Sequence, residues 1–158
     1  MARQKPLAGK VAVVVGDDLI DRLFQVNWRG QFAAVSACRS LLEASGDRLV
    51  VNVSSIAALS GVGSNIAYAA VKSGIDTMTK SLARVLEPKV RVMSVSPGVV
   101  DTDFVLGRDA VALAKSAPTI PARRIATADD VARAITACAT HLTYSTGSLV
   151  IVDGGRAL

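Results

Sequence analysis

Short, mainly apolar runs recur along the sequence and are separated by stretches long enough to form helices. Residues 11–15 read VAVVV, and the later runs are RLVVNVSS (48–55), VRVMSVS (90–96) and GSLVIVDGG (147–155). The continuous apolar run at 11–15 is typical of a strand buried on both faces, as in a parallel sheet, and the later runs also predict strands. Their alternation with helical stretches predicts an α/β fold built on a parallel sheet.

Three of the intervening stretches predict helices. Residues 18–44 carry periodic apolar positions and no proline, which indicates one long helix. A second helix is expected over 67–86, because a proline that follows prevents its continuation. A third should begin after Thr127, whose hydroxyl can cap the free amides of a first turn. Residues 103–122 contain two prolines and are expected to form a loop.

The length and composition favour one folded domain covering residues 1–158. Apolar residues make up 51% and charged residues 20%, which suits a globular interior better than a disordered chain. No apolar run approaches the roughly 20 residues of a membrane helix. The charged N-terminus also lacks the apolar core of a secretory signal. We therefore expect a cytoplasmic protein that does not bind membranes.

The charge and the cysteine content further limit which partners and ligands are expected. The net charge is +5, but the basic residues are scattered and aromatic residues are only 4%, so bases would find few stacking surfaces. Nucleic acid is therefore not expected as a partner. Cys38 and Cys138 lie in Ala-rich helical stretches without the spacing of metal ligands. We expect no metal site and predict that both thiols are buried in the core.

Polar residues follow each predicted strand. Gly16 closes the first, Ser54 and Ser55 close the second, and residues 97–102 follow the third. Ligands of open parallel sheets bind beyond the carboxyl ends of the strands, so these groups should meet along one edge. Tyr68 and Lys72, four residues apart in the next helix, should share a face that can reach the same edge.

The types of these residues suit proton transfer. A phenol is a poor acid or base at neutral pH, but an ammonium within a few ångströms stabilises its phenolate form. A serine hydroxyl beside the phenol can hydrogen-bond a substrate carbonyl where negative charge develops. The bland alternative is an aromatic side chain on a core face with a solvated charge beside it.

Taken together, the motifs resemble the short-chain dehydrogenase/reductase family. Y-x-x-x-K alone is weak, but here Ser55 precedes Tyr68 by thirteen residues, and NVSS, YAAVK, SPGVVDT and TGSLVIVDGG follow in the family's order. QVNWRGQF also resembles the family's helix with the catalytic asparagine. The resemblance covers residues 18–155, and it is closest to the 3-oxoacyl-(acyl-carrier-protein) reductases.

The resemblance implies a Rossmann-like, doubly wound sheet and assigns roles to individual residues. Tyr68 would donate the proton, Ser55 would orient the carbonyl, and Lys72 would assist Tyr68 and hold the nicotinamide ribose. Asn27 would anchor a water that links Lys72 to solvent; its alternative is to cap a kink in a long helix. Ser54 is expected to be structural. The remaining cofactor contacts would be Gly16, Pro97, Gly98, Val100 and Thr102.

The sequence departs from the family directly after Gly16. The family continues there with a glycine-rich phosphate loop and most of the first nucleotide-binding half, roughly a hundred residues. In this chain Asn27 follows Gly16 by only eleven residues. A segment is therefore missing between Gly16 and Asp18. Either a longer enzyme contains it or the chain is a true remnant, and the family-like residues on both flanks favour the first explanation.

Two functions follow from the resemblance. The first is an oxidoreductase that moves hydride between NAD or NADP and a small carbonyl or secondary alcohol substrate. The second is a non-catalytic remnant that acts as a structural or dimerisation module. In the family, the helices that correspond to residues 18–44 and 67–86 pack against a twin subunit, so a homodimer or homotetramer is expected.

Overall fold

The computed structural model describes residues 17–46, 48–63, 65–102 and 115–158. Within these ranges, a three-stranded parallel sheet runs in the order β1 (Leu49–Val53), β2 (Arg91–Pro97) and β3 (Leu149–Val152). In the register of the sheet, Asn52 lies opposite Ser94, and Ser94 lies opposite Leu149. The predicted α/β class and parallel sheet are confirmed. The predicted strand at 11–15 and the loop residues 103–114 lie outside the described residues.

Helices connect the strands. The helical elements are α1 (Asp17–Leu23), a π-helix (Phe24–Arg29), α2 (Gly30–Ala44), α3 (Ala57–Ser60), α4 (Ile66–Leu86), a 3₁₀ turn (Ala117–Thr119) and α5 (Ala128–Thr140). The helix expected over 67–86 corresponds to α4, and the helix expected after Thr127 corresponds to α5. The short helix α3 was not predicted, because four residues are too few to establish a helical period.

The long helix expected over 18–44 is continuous but not uniformly α-helical. Its middle, Phe24–Arg29, widens into a π-helix. Such widened turns are rare and have no periodicity signal of their own, so the prediction of one regular helix was wrong at this point. Trp28 lies in the widened turn, and its indole Nε1 donates to the carbonyl of Gly74 on α4 at 3.2 Å.

The two faces of the sheet are covered by different helices. On one face, Cys138 of α5 packs with Met93 and Val95 of β2 in a cluster whose three side chains are fully buried. On the other, the C-terminal half of α4 contributes Ala83 and Leu86 to a cluster with Val35, Val90 and Val92.

The two cysteines differ in their surroundings. Cys138 is buried, but Cys38 lies on the exposed side of α2, so the prediction of two core thiols was wrong for Cys38. Only Val35 of α2 is buried, and the Ala-rich composition around Cys38 reflects helix propensity rather than core packing. Over the ranges that the structure describes, no helix combines the length and apolar character needed to cross a membrane.

The start of α5 generates a prediction about stability. Thr127 Oγ1 accepts from the amide of Asp130 at 3.2 Å, and Asp130 Oδ2 accepts from the amide of Thr127 at 2.8 Å. Thr127→Ala removes one half of this capping box and should lower the free energy of unfolding by about 1 kcal/mol in urea denaturation.

The matched control is Thr136→Ala, in the middle of the same helix. The Thr136 hydroxyl donates back to the carbonyl of Ala132 at 3.0 Å, a bond that adds little to a helix. The urea concentration at the midpoint of unfolding should be nearly the same for this variant as for the wild type. Equal losses in the two variants would contradict the capping role of Thr127.

Candidate active site

The first turn of α4 positions Tyr68. Asn65 caps the helix, because its Oδ1 accepts from the amide of Tyr68 at 2.7 Å. Asparagine is among the residues that best satisfy the free amides of a first turn. Tyr68 is therefore held in a defined turn, and its side chain is half-buried.

Lys72 lies one turn further along and faces the sheet. Its side chain is buried, and Nζ donates to the carbonyl of Val53, the last residue of β1, at 2.9 Å. The same nitrogen lies 5.5 Å from the centroid of the Tyr68 ring. Burial lowers the pKa of Lys72, and the carboxylate of Asp76 acts in the opposite direction. The ammonium is thus shared between a strand end and the phenol ring.

The two serines after β1 make different contacts. The buried Ser54 donates from Oγ to the carbonyl of Lys72 at 3.1 Å, so it joins the strand end to α4. Ser55 is half-buried, and its Oγ accepts from the amide of Ala57 at 3.2 Å. The first contact is structural, whereas the second leaves the hydrogen of the Ser55 hydroxyl to be donated elsewhere.

Asn27 lies in the π-helix and is half-buried. Its Nδ2 donates to the carbonyl of Leu23 at 3.2 Å, within its own helix. This is the contact expected of a residue that supports a distorted turn. Within the described part of the chain, no hydrogen bond links the side chain of Asn27 to Lys72. The water relay through Asn27 stays a prediction.

The segment after β2 runs beside the end of β1. The carbonyl of Pro97 accepts from the amide of Ile56 at 3.0 Å, directly after Ser55, and the amide of Gly98 donates to Val152 at 2.9 Å. Val100 forms an isolated parallel bridge with Ala126. These residues therefore lie at the carboxyl edge of the sheet.

The other two predicted cofactor contacts are Thr102 and Gly16. Thr102 is exposed in a bend, and no hydrogen bond of its side chain to Tyr68 or Lys72 is found among the described residues. Gly16 lies outside the described residues. The structure thus brings Lys72 to the ring of Tyr68 and the end of β1, and the end of β2 lies beside that of β1.

Sequence reasoning overlooked a group of buried polar residues beneath this site. Its members lie on the facing surfaces of α4 and the sheet and are at most 6% exposed: Asn52, Ser54, Ser94, Ser96, Asp76 and Thr79. Two signals could have found them. Asp76 follows Lys72 by one helical turn, and Ser94 and Ser96 alternate along β2 and so point to the same face.

Comparisons with known proteins identify the family of the chain. The model of a family described as enoyl-(acyl carrier protein) reductase matches residues 1–157. The short-chain dehydrogenase/reductase homolog YusR of Bacillus subtilis (strain 168) is 35% identical over 130 residues, which are 82% of this chain and 99% of that protein. The chain belongs to the short-chain dehydrogenase/reductase family.

Other relatives of this family member are longer. The 3-oxoacyl-[acyl-carrier-protein] reductase FabG of Chlamydia pneumoniae is 32% identical over 155 residues, which are 91% of this chain and 62% of that protein. The ligand-free aldohexose dehydrogenase of Thermoplasma acidophilum superposes with a TM-score of 0.82 at 27% identity, covering 90% of this chain and 61% of that one. Apart from the Bacillus relative, the chain spans little more than half the length of relatives such as these.

Gly98 generates a prediction at the edge of the site. A Cβ at this position would lie 2.8 Å from Cβ and 2.9 Å from Cα of Asp153, so the turn after β2 closes only without a side chain. Gly98→Ala should push the ends of β2 and β3 apart and lower the free energy of unfolding by about 1–3 kcal/mol, measured by urea denaturation.

Gly46→Ala is the control for this change. A Cβ at Gly46 would meet nothing within 4 Å, and the same substitution there should leave stability unchanged or slightly raised. If Gly98→Ala were as stable as Gly46→Ala, the close approach of Asp153 would not be a constraint.

Proposed function

We propose that this protein is an NAD(P)-dependent oxidoreductase that interconverts a small carbonyl compound and the corresponding secondary alcohol. The observation that carries the proposal is the buried ammonium of Lys72, 5.5 Å from the Tyr68 ring centroid and bonded to the last residue of β1. In the proposed reaction this cation assists Tyr68 in transferring its phenolic proton.

Each residue of the site then has a task that its contacts support. Ser55 accepts from the amide of Ala57, and its own hydrogen can be donated to the carbonyl oxygen of the substrate. In the direction of reduction, that oxygen takes the phenolic proton of Tyr68 as the carbonyl carbon gains hydride. Lys72 holds the charge of the resulting phenolate, and Ser54 anchors the backbone of Lys72 to the strand.

The described residues suit the nicotinamide end of the cofactor. Lys72 is a buried cationic donor of the kind that binds ribose hydroxyls, and Pro97 and Gly98 form the adjoining wall at the end of β2. When bound, the nicotinamide ring supplies or accepts the hydride. The pyrophosphate would need a glycine-rich turn, which the sequence does not continue into after Gly16. We therefore propose that the adenosine half is held by a segment of a longer protein.

The names of relatives support the class of substrate. A 3α-hydroxysteroid dehydrogenase of Mediterraneibacter gnavus is 30% identical over 135 residues, and the reductase of Chlamydia pneumoniae is named for a 3-oxoacyl substrate. These names share a ketone or secondary alcohol as the reacting group. For this chain we propose that chemical group and leave the choice between NAD and NADP to the assay.

Tyr68→Phe tests the proposed proton transfer. The purified protein is incubated with NADH or NADPH and a panel of ketones, and turnover is measured as the loss of absorbance at 340 nm. Removing the hydroxyl should lower kcat by at least about 100-fold, since positioned acid–base catalysis contributes this much or more. Thermal unfolding should be nearly unchanged, because the ring remains.

The chain supplies its own control in Tyr144, its other tyrosine, which is fully exposed. Tyr144→Phe should retain wild-type turnover. An intact mass measured beforehand identifies the chain under test, since the sequence corresponds to 16.3 kDa. Absence of turnover with either cofactor in a protein whose mass matches that of the longer relatives would refute the oxidoreductase.

A second function is favoured by a separate observation on the outer surface of the helices. An apolar groove of about 740 Å³ runs between the π-helix, α2 and α4. Phe24, Trp28 and Phe32 stack along it with ring centroids 5.0 and 5.7 Å apart, and Phe24, Phe32 and Val85 stay between 43% and 65% exposed. We propose that a second copy of the chain covers this groove and that the dimer forms whether or not the chain is catalytic.

Val85→Glu tests the dimer. This residue lines the groove and is 65% exposed, so a charge there should weaken association without disturbing the monomer. Light scattering after size exclusion should show a dimer for the wild type and a monomer for the variant. Leu41→Glu, on α2 but outside the groove and 74% exposed, should remain dimeric. A monomeric wild type would exclude this assembly.

A further inference from the structure

The layer between α4 and the sheet is polar, although it is buried. At the level of the site, the sheet presents Asn52, Ser54, Ser94 and Ser96 to the helix, and each is at most 4% exposed. The opposite face of the same strands is apolar and carries Met93 and Val95. An ordinary helix–sheet contact would be apolar on both sides, so the polar layer needs a specific explanation.

Two hydrogen bonds between the sheet and α4 cross this layer. Asn52 Nδ2 donates to Thr79 Oγ1 at 2.9 Å, and Ser94 Oγ donates to Asp76 Oδ1 at 3.2 Å. Ser96 Oγ is buried without a partner within the described residues. Asp76 is the one carboxylate among these side chains and is 6% exposed. A buried carboxylate is costly unless a cation or several donors compensate it.

The cation that shares this layer with Asp76 is Lys72. The two residues are four positions apart on α4, so their side chains lie on the same face one turn apart. Lys72 is likewise 6% exposed, and the acceptor that its Nζ finds within the described residues is the neutral carbonyl of Val53. Burial lowers the pKa of Lys72 and raises that of Asp76, while each charge opposes the shift of the other.

The other groups around Asp76 do not replace Lys72. Ser94 on β2 lowers the pKa of Asp76 through the hydrogen bond that it donates, but it carries no charge, and the hydroxyl of Ser54 donates instead to the carbonyl of Lys72. Lys80 lies one turn beyond Asp76 on the same helix and also lowers this pKa. Lys80 is exposed, so solvent and salt screen its charge. Within the described residues, Lys72 is therefore the only buried cation that acts on Asp76.

We propose that Asp76 is a positioning residue whose buried carboxylate, one helical turn from Lys72 in the same polar layer, keeps Lys72 in its ammonium form while Nζ bonds the end of β1. The inference deepens the proposed function, because only the ammonium can stabilise the phenolate of Tyr68. Asp76 is then the third residue, after Tyr68 and Lys72, on one face of α4. Asp76 acts through Lys72 and does not itself touch the substrate.

Asp76→Asn separates the charge from the hydrogen bond. The amide has the same shape and can still accept from Ser94, but it carries no charge. With lysine labelled with ¹³C at Cε, the titration of Lys72 is followed by NMR, and its signal is assigned by its loss in Lys72→Met. Without the carboxylate, the midpoint for Lys72 should fall by about 1 pH unit or more. Asp129→Asn, an exposed carboxylate on α5, removes the same charge and should not move the midpoint.

The coupling between two charges is reciprocal, and this provides a second measurement. In Lys72→Met, the titration of the Asp76 carboxyl carbon should move to higher pH, because the carboxylate has lost its buried cation. An unchanged midpoint for Lys72 in folded Asp76→Asn would overturn the proposal. If that variant does not fold, an unchanged midpoint for Asp76 in Lys72→Met would do the same.

These titrations also separate the inference from the proposed function. Neither requires turnover, so a shift of Lys72 in a protein that has the mass of the longer relatives but no activity would refute the oxidoreductase and leave the coupling of Asp76 to Lys72 standing. Turnover in a protein whose Lys72 titration midpoint is the same with and without the Asp76 carboxylate would support the oxidoreductase and overturn the role of Asp76. Where the protein turns over, Asp76→Asn should move the alkaline limb of its pH profile to lower pH, because Lys72 loses its proton earlier.

Discussion

The site depends on the hydrogen bond from Lys72 Nζ to the carbonyl of Val53. A buried ammonium must replace its lost water with acceptors, and the last carbonyl of β1 is one that the strand end offers at 2.9 Å. This hydrogen bond fixes the position of α4 relative to β1 along the direction of the strand. Tyr68 is then placed one turn nearer the carboxyl edge, while Ala83 and Leu86 reach the apolar cluster at the other end of the helix. The position of α4 therefore determines both where the candidate site residues lie and how the helix packs on the sheet.

The polar layer beneath α4 contributes orientation more than stability. A typical buried hydrogen bond adds only about 0.5–1.5 kcal/mol to stability, and apolar side chains of similar volume would hold the helix as firmly. What apolar residues cannot do is fix the rotation of α4 about its axis. The bonds Asn52–Thr79 and Ser94–Asp76 are directional, so they select the rotation that turns Tyr68 and Lys72 toward the ends of the strands.

The elements that the sequence predicted are those with strong local signals. The strands at 49–53 and 91–97 are rich in valine and bounded by helical stretches, and Thr127 starts α5 through the capping box that its residue type suggests. The missed features depend on contacts distant in the sequence. The π-helix packs against Gly74 through Trp28, and no local pattern encodes that contact. The exposure of Cys38 depends on what covers α2, and Asp76 reads as a surface charge until the sheet is placed beside it.

The departure from the family pattern after Gly16 separates the proposed chemistry from cofactor affinity along the chain. Every residue that would touch the nicotinamide end and the substrate, apart from Gly16, falls within residues 27–102. Hydrogen bonds from Ser54 to Lys72, from Lys72 to Val53 and from Ile56 to Pro97 join α4 and the ends of β1 and β2 around them. Amides that hold a pyrophosphate come from a glycine-rich turn in the other half of the fold. The contacts that hold Lys72 over the end of β1 come from α4 and the sheet alone, so the proposed geometry of proton transfer does not depend on that turn. We propose that the anchoring energy for the pyrophosphate is supplied separately, by a segment of a longer protein.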